Sequence, residues 1–204
     1  MPTYVTRLIA TLVFSTLLLS SAIAQPTTVA RPELKAGDRW SVEERDPYSS
    51  AIRRTYEEEV AAVGQDRVEV TYDGRIGGVM SPNLTLLDNY RFTYDNGYQL
   101  LKFPIDIGTR WSFKTKWANK ETGSSGTAEF DVEALAAEKV TVPAGTFDAV
   151  RLRAKGYMYA GGTWVVTITY WYAPAVKRIV RQEWRDTKRD LDYNRFLTSF
   201  KLSE

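Results

Sequence analysis

Thr127-Ala128-Glu129-Phe130-Asp131-Val132-Glu133-Ala134 decides the fold, because apolar and polar residues alternate one for one along it. A side-chain period of two belongs to a strand with one face on a core and the other in water. The pattern recurs on either side. Trp111, Phe113 and Trp117 alternate with Arg110, Ser112, Lys114 and Lys116, and Val68, Val70 and Tyr72 alternate with Arg67, Glu69 and Thr71. Trp164, Val166, Ile168, Tyr170 and Tyr172 alternate with Thr163, Thr167 and Thr169. Turn residues punctuate these runs: Asp73-Gly74, Asp95-Asn96-Gly97, Pro143-Ala144-Gly145 and Gly161-Gly162. Asp95-Asn96-Gly97, between residues 90–94 and 98–103, predicts a hairpin. The fold class expected is all-β, with about ten to twelve antiparallel strands in a curved half-barrel or a sandwich-like arrangement.

Two segments repeat. Gly37-Asp38-Arg39-Trp40-Ser41-Val42 returns as Gly108-Thr109-Arg110-Trp111-Ser112-Phe113, and residues 60–70 return as 132–142, at offsets of 71 and 72. The best helix candidate, residues 56–63 with Glu57-Glu58-Glu59 and Ala61-Ala62, is the repeat partner of the alternating stretch 127–135 and reads as a strand for that reason. The organisation expected is a first β module at 33–104 after a linker at 25–32, and a second at 105–204 with a C-terminal extension. The two would pack as one body.

Residues 1–24 read as a secretory signal peptide. Arg7 precedes the apolar run 8–19, and the small-residue triplet Ala22-Ile23-Ala24 precedes Gln25, with cleavage expected after Ala24. The run is about twelve residues, short of the roughly 20 that span a bilayer. No Cys stands at the cleavage point, so the lipoprotein reading is set aside and a periplasmic or secreted protein is expected. The 204 residues contain no Cys and no His. This removes disulfides, thiol nucleophiles, Cys- or His-ligated metals and imidazole proton transfer. A formal net charge of +2 gives no concentrated basic surface for nucleic acid. Six Trp, twelve Tyr and eight Phe supply a core.

Three stretches carry a resemblance. They are residues 34–40 (Leu-Lys-Ala-Gly-Asp-Arg-Trp), residues 138–150 with Val140-Thr141-Val142-Pro143-Ala144-Gly145-Thr146-Phe147, and Tyr170-Trp171-Tyr172-Ala173-Pro174 followed by Ile179-Val180-Arg181. Together they resemble exported bacterial β proteins of unknown function that share a V-x-V-P-A-G-x-F turn and a Y-W-Y-A-P strand end. The resemblance implies a curved antiparallel sheet like the half-barrels of periplasmic lipoprotein carriers. It carries over no catalytic residue.

No Gly-x-Ser-x-Gly elbow, Ser-x-x-Lys motif or phosphate-binding glycine loop is present, and Gly74, Gly77 and Gly78 miss the nucleotide-binding spacing. Glu57 and Glu59 would share a strand face about 7 Å apart, a solvated pair more readily than a glycosidase or calcium site. Asp186, Asp190 and Asp192 among Arg185, Lys188 and Arg189 read as a mixed-charge loop. Arg151, Arg153 and Lys155 form a basic strip that continues into Tyr157 and Tyr159, suited to an anionic head group or to guarding a wet strand face.

The function expected is that of an exported, non-catalytic binding or carrier protein of the cell envelope, needing no cofactor. Its cargo would be a lipid or other small amphipathic ligand held by Trp117, Tyr157, Tyr159, Trp164, Tyr170, Tyr172, Arg151 and Arg153. The alternatives are an adaptor that pairs with an envelope protein through its C-terminal strand, and a carboxylate-based glycan or cell-wall hydrolase.

Overall fold

The computed structural model describes residues 28–189 and 191–204, without the side chain of Ile76. The expected signal peptide lies outside the described residues. Fourteen strands follow one another among those residues. The first seven are β1 (Thr28–Val29), β2 (Arg39–Arg45), β3 (Ile52–Val63), β4 (Val68–Tyr72), β5 (Arg75–Met80), β6 (Leu86–Asp88) and β7 (Phe92–Tyr98). The rest are β8 (Ile105–Asp106), β9 (Arg110–Asn119), β10 (Ser125–Val142), β11 (Gly145–Tyr159), β12 (Thr163–Ala173), β13 (Arg178–Asp186) and β14 (Tyr193–Lys201). One 3-10 turn, Pro174–Val176, separates β12 from β13.

Twelve strands close a single antiparallel barrel in the order β10-β11-β12-β13-β14-β2-β3-β4-β5-β6-β7-β9, and β1 with β8 forms a small second sheet. This corrects the half-barrel or sandwich expectation. Two seams account for the closure. β7 pairs with β9 from Phe92↔Asn119 to Tyr94↔Trp117, and β14 pairs with β2 from Asn194↔Arg45 to Lys201↔Arg39. Residues 33–104 and 105–204 therefore share one sheet. β14 is paired with β13 as well as β2, so the adaptor alternative loses the free edge it needed.

The predicted hairpin at Asp95-Asn96-Gly97 is also corrected, since β7 runs straight through it. Leu86↔Tyr98 and Asp88↔Thr93 bracket a bulge in β7. The Asp95 carboxylate holds that bulge by accepting from the backbone N–H of Asn96 at 2.8 Å and of Lys116 at 2.6 Å. Gly97, at φ +75°, is needed there because a Cβ would meet Thr85 Cγ2 at 2.5 Å. Residues 56–63 do form a strand, as the repeat predicted.

The two ends of the barrel differ. At one end the chain folds back as a plug, with Val29, Leu101 and Ile105 buried among Trp111, Leu152 and Tyr172. The indole of Trp111 donates to the Gln99 carbonyl at 3.1 Å, the Tyr170 hydroxyl donates to the Leu100 carbonyl, and the indole of Trp40 donates to the Val176 carbonyl at 2.8 Å. Gly37 and Gly108 make equivalent turns here, at φ +87° and +88°. The first donates its N–H to Val60 and the second to Ala134, each at 2.8 Å. At the opposite end lie the connections 46–51, 73–74, 89–91, 120–124 and 160–162, which form the rim. Past a bulge at Ala134/Ala136, residues 138–149 of β10 and β11 pair with each other, and the Ala144 N–H donates to the Leu197 carbonyl of β14 at 3.1 Å. These residues form an arm whose Phe147 packs edge-on against Phe200 of β14.

Asp38 pins the plugged end. Fully buried, its carboxylate accepts from the N–H of Lys35 at 2.9 Å, the N–H of Ser203 at 2.8 Å and the Lys177 ammonium at 2.9 Å. Burial alone would raise its pKa, but the Lys35 N–H, the Lys177 ammonium and the Ser203 N–H outweigh it and hold the carboxyl below its ordinary value. Stability tied to Asp38 is therefore present above the unfolded carboxylate pKa and lost as pH falls through the folded one. Asp38→Asn, which strands the Lys177 ammonium, is expected to cost about 3 kcal/mol at neutral pH in urea unfolding. The deficit should shrink on acidification, and a deficit equal at all pH values would contradict this role.

Candidate functional site

Register sorts the side chains of a closed barrel into an inner and an outer set. Val60, Val70, Leu152, Ile168 and Tyr170 point inward and are fully buried. A second group shares their face but is only partly covered: Tyr94, Tyr98, Phe113, Trp164, Trp184, Tyr193 and Arg195. The register places them inside. Trp184 sits opposite Ile168 and Tyr193, Phe113 sits opposite Phe130, and Arg195 lies between Gln182 and Glu44. Arg195 keeps 32% of its side-chain surface open although it faces the interior. An inward-facing arginine with accessible surface marks space inside the barrel that side chains do not fill.

One wall of this space is aromatic. Phe92 meets Trp117 edge-on at 5.8 Å between centroids, Tyr94 meets Tyr98 at 5.3 Å, and Tyr98 meets both Phe113 and Phe130 edge-on. The facing wall is polar. The Arg195 guanidinium donates to Glu44 Oε1 at 2.6 Å and lies over the rings of Tyr193 and Tyr56. Gln182 donates to the Tyr193 hydroxyl at 2.7 Å, and Trp184 stacks on Tyr193. Nearby, Arg178 pairs with Glu58 under the ring of Trp40. Burial opposes the charge on Arg195, but Tyr56, Tyr193 and Glu44 together hold its pKa above the ordinary value. The Tyr98 hydroxyl and the Trp184 indole N–H are buried and have no hydrogen-bond partner among the described residues. The same holds for the Trp117 indole N–H and the Tyr172 hydroxyl.

The eight residues expected at the site divide. Trp117, Trp164, Tyr170 and Tyr172 face inward, but Tyr170 and Tyr172 are sealed beside the plug and Trp164 stands at the rim under the Lys188 ammonium at 4.4 Å. Tyr157, Tyr159, Arg151 and Arg153 are on the outer face. Tyr157 and Tyr159 are exposed and stacked on each other, Arg151 lies 3.3 Å from Glu138, and Arg153 lies 3.1 Å from Glu133. Glu57 and Glu59 are outward too, and Arg39 bridges them. Asp192 is buried and accepts from the Tyr48 hydroxyl and the Asp186 N–H, while Asp190 lies outside the described residues.

Sequence reasoning missed Glu44, Glu58, Arg178 and Arg195, since charged residues on strands are read as solvent-facing. One signal was available. In Tyr193-x-Arg195-x-Leu197 an arginine occupies the parity of apolar residues.

No protein-family model matches the sequence, and no curated protein matches it. Solved structures do. A candidate lipoprotein from Parabacteroides distasonis is similar at a TM-score of 0.56 and 17% identity, over 87% of this chain and 100% of its own. A candidate exported protein with a YmcC-like fold from Bacteroides fragilis is similar at a TM-score of 0.58 and 15% identity, over 85% of this chain and 99% of its own. At these identities the likeness is one of fold. Among the described residues no helix is long and apolar enough to cross a membrane.

Burial raises the phenols of Tyr56, Tyr72, Tyr94, Tyr98, Tyr170 and Tyr193 above their ordinary value. The unfolded chain releases these protons near pH 10, at about the model-peptide value, while the folded chain retains them. Their contribution to stability is thus complete below about pH 10 and lost above it. In an alkaline titration, phenolate absorbance from these side chains should rise together with the loss of near-ultraviolet circular dichroism. Their ionisation with the circular dichroism intact would show that they are not held in the interior.

Proposed function

We propose that this chain is an exported, non-catalytic binding protein of the cell envelope that takes an amphipathic ligand into the barrel through the rim. One observation carries the reading: inward-facing aromatic and charged side chains that keep accessible surface inside the barrel, with the buried Tyr98 hydroxyl and Trp184 N–H unpartnered among the described residues. The wall of Phe92, Tyr94, Tyr98 and Phe113 offers apolar area to a chain or ring, worth about 25 cal/mol per Å² removed from water. The opposite wall presents Arg195, already protonated and oriented by Glu44 and Tyr193, to a polar or acidic end. Such a space, apolar with a few convergent polar groups, is the usual form of a small-molecule site. The likeness in fold to exported and lipoprotein-class proteins supports the compartment, and the sequence of residues 1–24 supports export.

The test is to purify the mature chain from the periplasm without detergent and identify what it carries by mass spectrometry after denaturing extraction. Oleate would then be titrated into the emptied protein and followed by tryptophan fluorescence. The reading predicts a stoichiometric co-purified amphiphile or saturable oleate binding, weakened about tenfold by Arg195→Gln, about 1.4 kcal/mol. An empty protein that also fails to saturate with oleate would refute it.

A further inference from the structure

A cleft of about 670 Å³ lies at the rim, beside the ends of β3, β4 and β5. Three guanidinium groups line it: Arg54, Arg75 and Arg91. Arg54 and Arg75 make no ion pair and no side-chain hydrogen bond with any described residue. This is unusual in a chain where most arginines are engaged with carboxylates. Arg54 is nevertheless held in place, with its guanidinium packed between the rings of Tyr56 at 4.4 Å and Tyr90 at 4.5 Å. Stacking fixes the plane of the group and leaves its N–H edges free to donate.

The cleft is built around this arrangement. Tyr72 meets Tyr90 edge-on at 5.3 Å and Tyr56 at 6.2 Å, giving three tyrosines in series. Two glycines make room for them. A Cβ on Gly77 would meet Tyr90 Cβ at 3.3 Å, and one on Gly78 would meet the Tyr72 ring at 2.8 Å. The two acids in the lining are placed otherwise. Asp73 accepts from the backbone N–H of Glu57 at 2.8 Å, and Glu121 lies 3.7 Å from Arg91.

We infer that this cleft is an anion-binding site for a phosphate group, with Arg54 and Arg75 donating to its oxygens, Arg91 adding charge and Tyr72 and Tyr90 bordering whatever the phosphate is attached to. A phosphate is favoured over a carboxylate because its oxygens point in several directions and accept from several guanidinium forks at once. A carboxylate offers two oxygens in one plane. The cleft shares Tyr56 with the interior wall, but the inference does not require an occupied interior, since Arg75 and Arg91 lie at the rim.

Two sources present such a phosphate, the free anion and the head group of a phospholipid, and two experiments separate them. Inorganic phosphate would be titrated into the mature protein by calorimetry, and binding to vesicles of phosphatidylglycerol would be compared with vesicles of phosphatidylcholine. Saturable phosphate binding supports the site with a soluble source. A preference for phosphatidylglycerol without measurable inorganic phosphate binding supports it with a lipid source. In either case Arg54→Gln with Arg75→Gln should weaken binding at least tenfold, while Arg110→Gln, a substitution on the exposed outer face, should leave it unchanged. Arg75→Gln alone, at an exposed residue, serves if the double variant does not fold, with a loss of several-fold expected. Absence of both kinds of binding, or equal binding by wild type and the Arg75→Gln variant, would overturn the inference.

Discussion

The β14–β2 seam is the constraint on which the rest of this structure depends. Pairing Asn194–Lys201 with Arg39–Arg45 joins the last strand to the first strand of the barrel and leaves that sheet without an edge. Closure imposes a strict inside on every second residue. It also brings Arg195 into register with Glu44, 151 positions away in sequence, and sets β14 across the interior from β7. The partly open space between Tyr94 and Tyr98 on one wall and Tyr193 and Arg195 on the other exists because those walls are held apart by the same ring of hydrogen bonds.

A closed barrel of this kind has to fill or manage its interior. Here the plugged end is filled by Val29, Leu101, Ile105 and the large aromatics of β9–β12, tied down by donors that reach plug carbonyls. Toward the rim the filling changes to polar groups, with Glu58–Arg178 and Glu44–Arg195 as paired interior charges. Such pairs gain little over hydrophobic packing in stability. The rim arginines differ in kind, because Arg54 and Arg75 form no ion pair with a described residue where Arg178 and Arg195 hold carboxylates.

Much of the strand content was legible from period-two alternation. Residues 127–134, 110–117 and 163–172 are strands with their apolar members inward, as the pattern requires. The misreadings share a cause. Asp95-Asn96-Gly97 has the chemistry of a turn, but the same positive φ and side-chain capping also serve a bulge, and only the neighbouring strand decides between them. Tyr157 and Tyr159 were grouped with Tyr170 and Tyr172 as one aromatic surface, although strand parity and the barrel's curvature put the pairs on opposite faces.

By itself, then, the sequence determined local matters: strand periodicity, the glycine turns at Gly37 and Gly108, the absence of His and Cys, and the exclusion of the chemistries that need them. These follow from backbone sterics, side-chain alternation and composition, which act within a few residues or by simple presence. The tertiary structure alone decided that the sheet closes, which charges turn inward, and that Arg54 reaches Tyr90 at the rim. Those outcomes depend on strand order and register between residues more than a hundred positions apart in the pairs Glu58–Arg178 and Glu44–Arg195, and a one-residue change of register would reverse every inward and outward assignment.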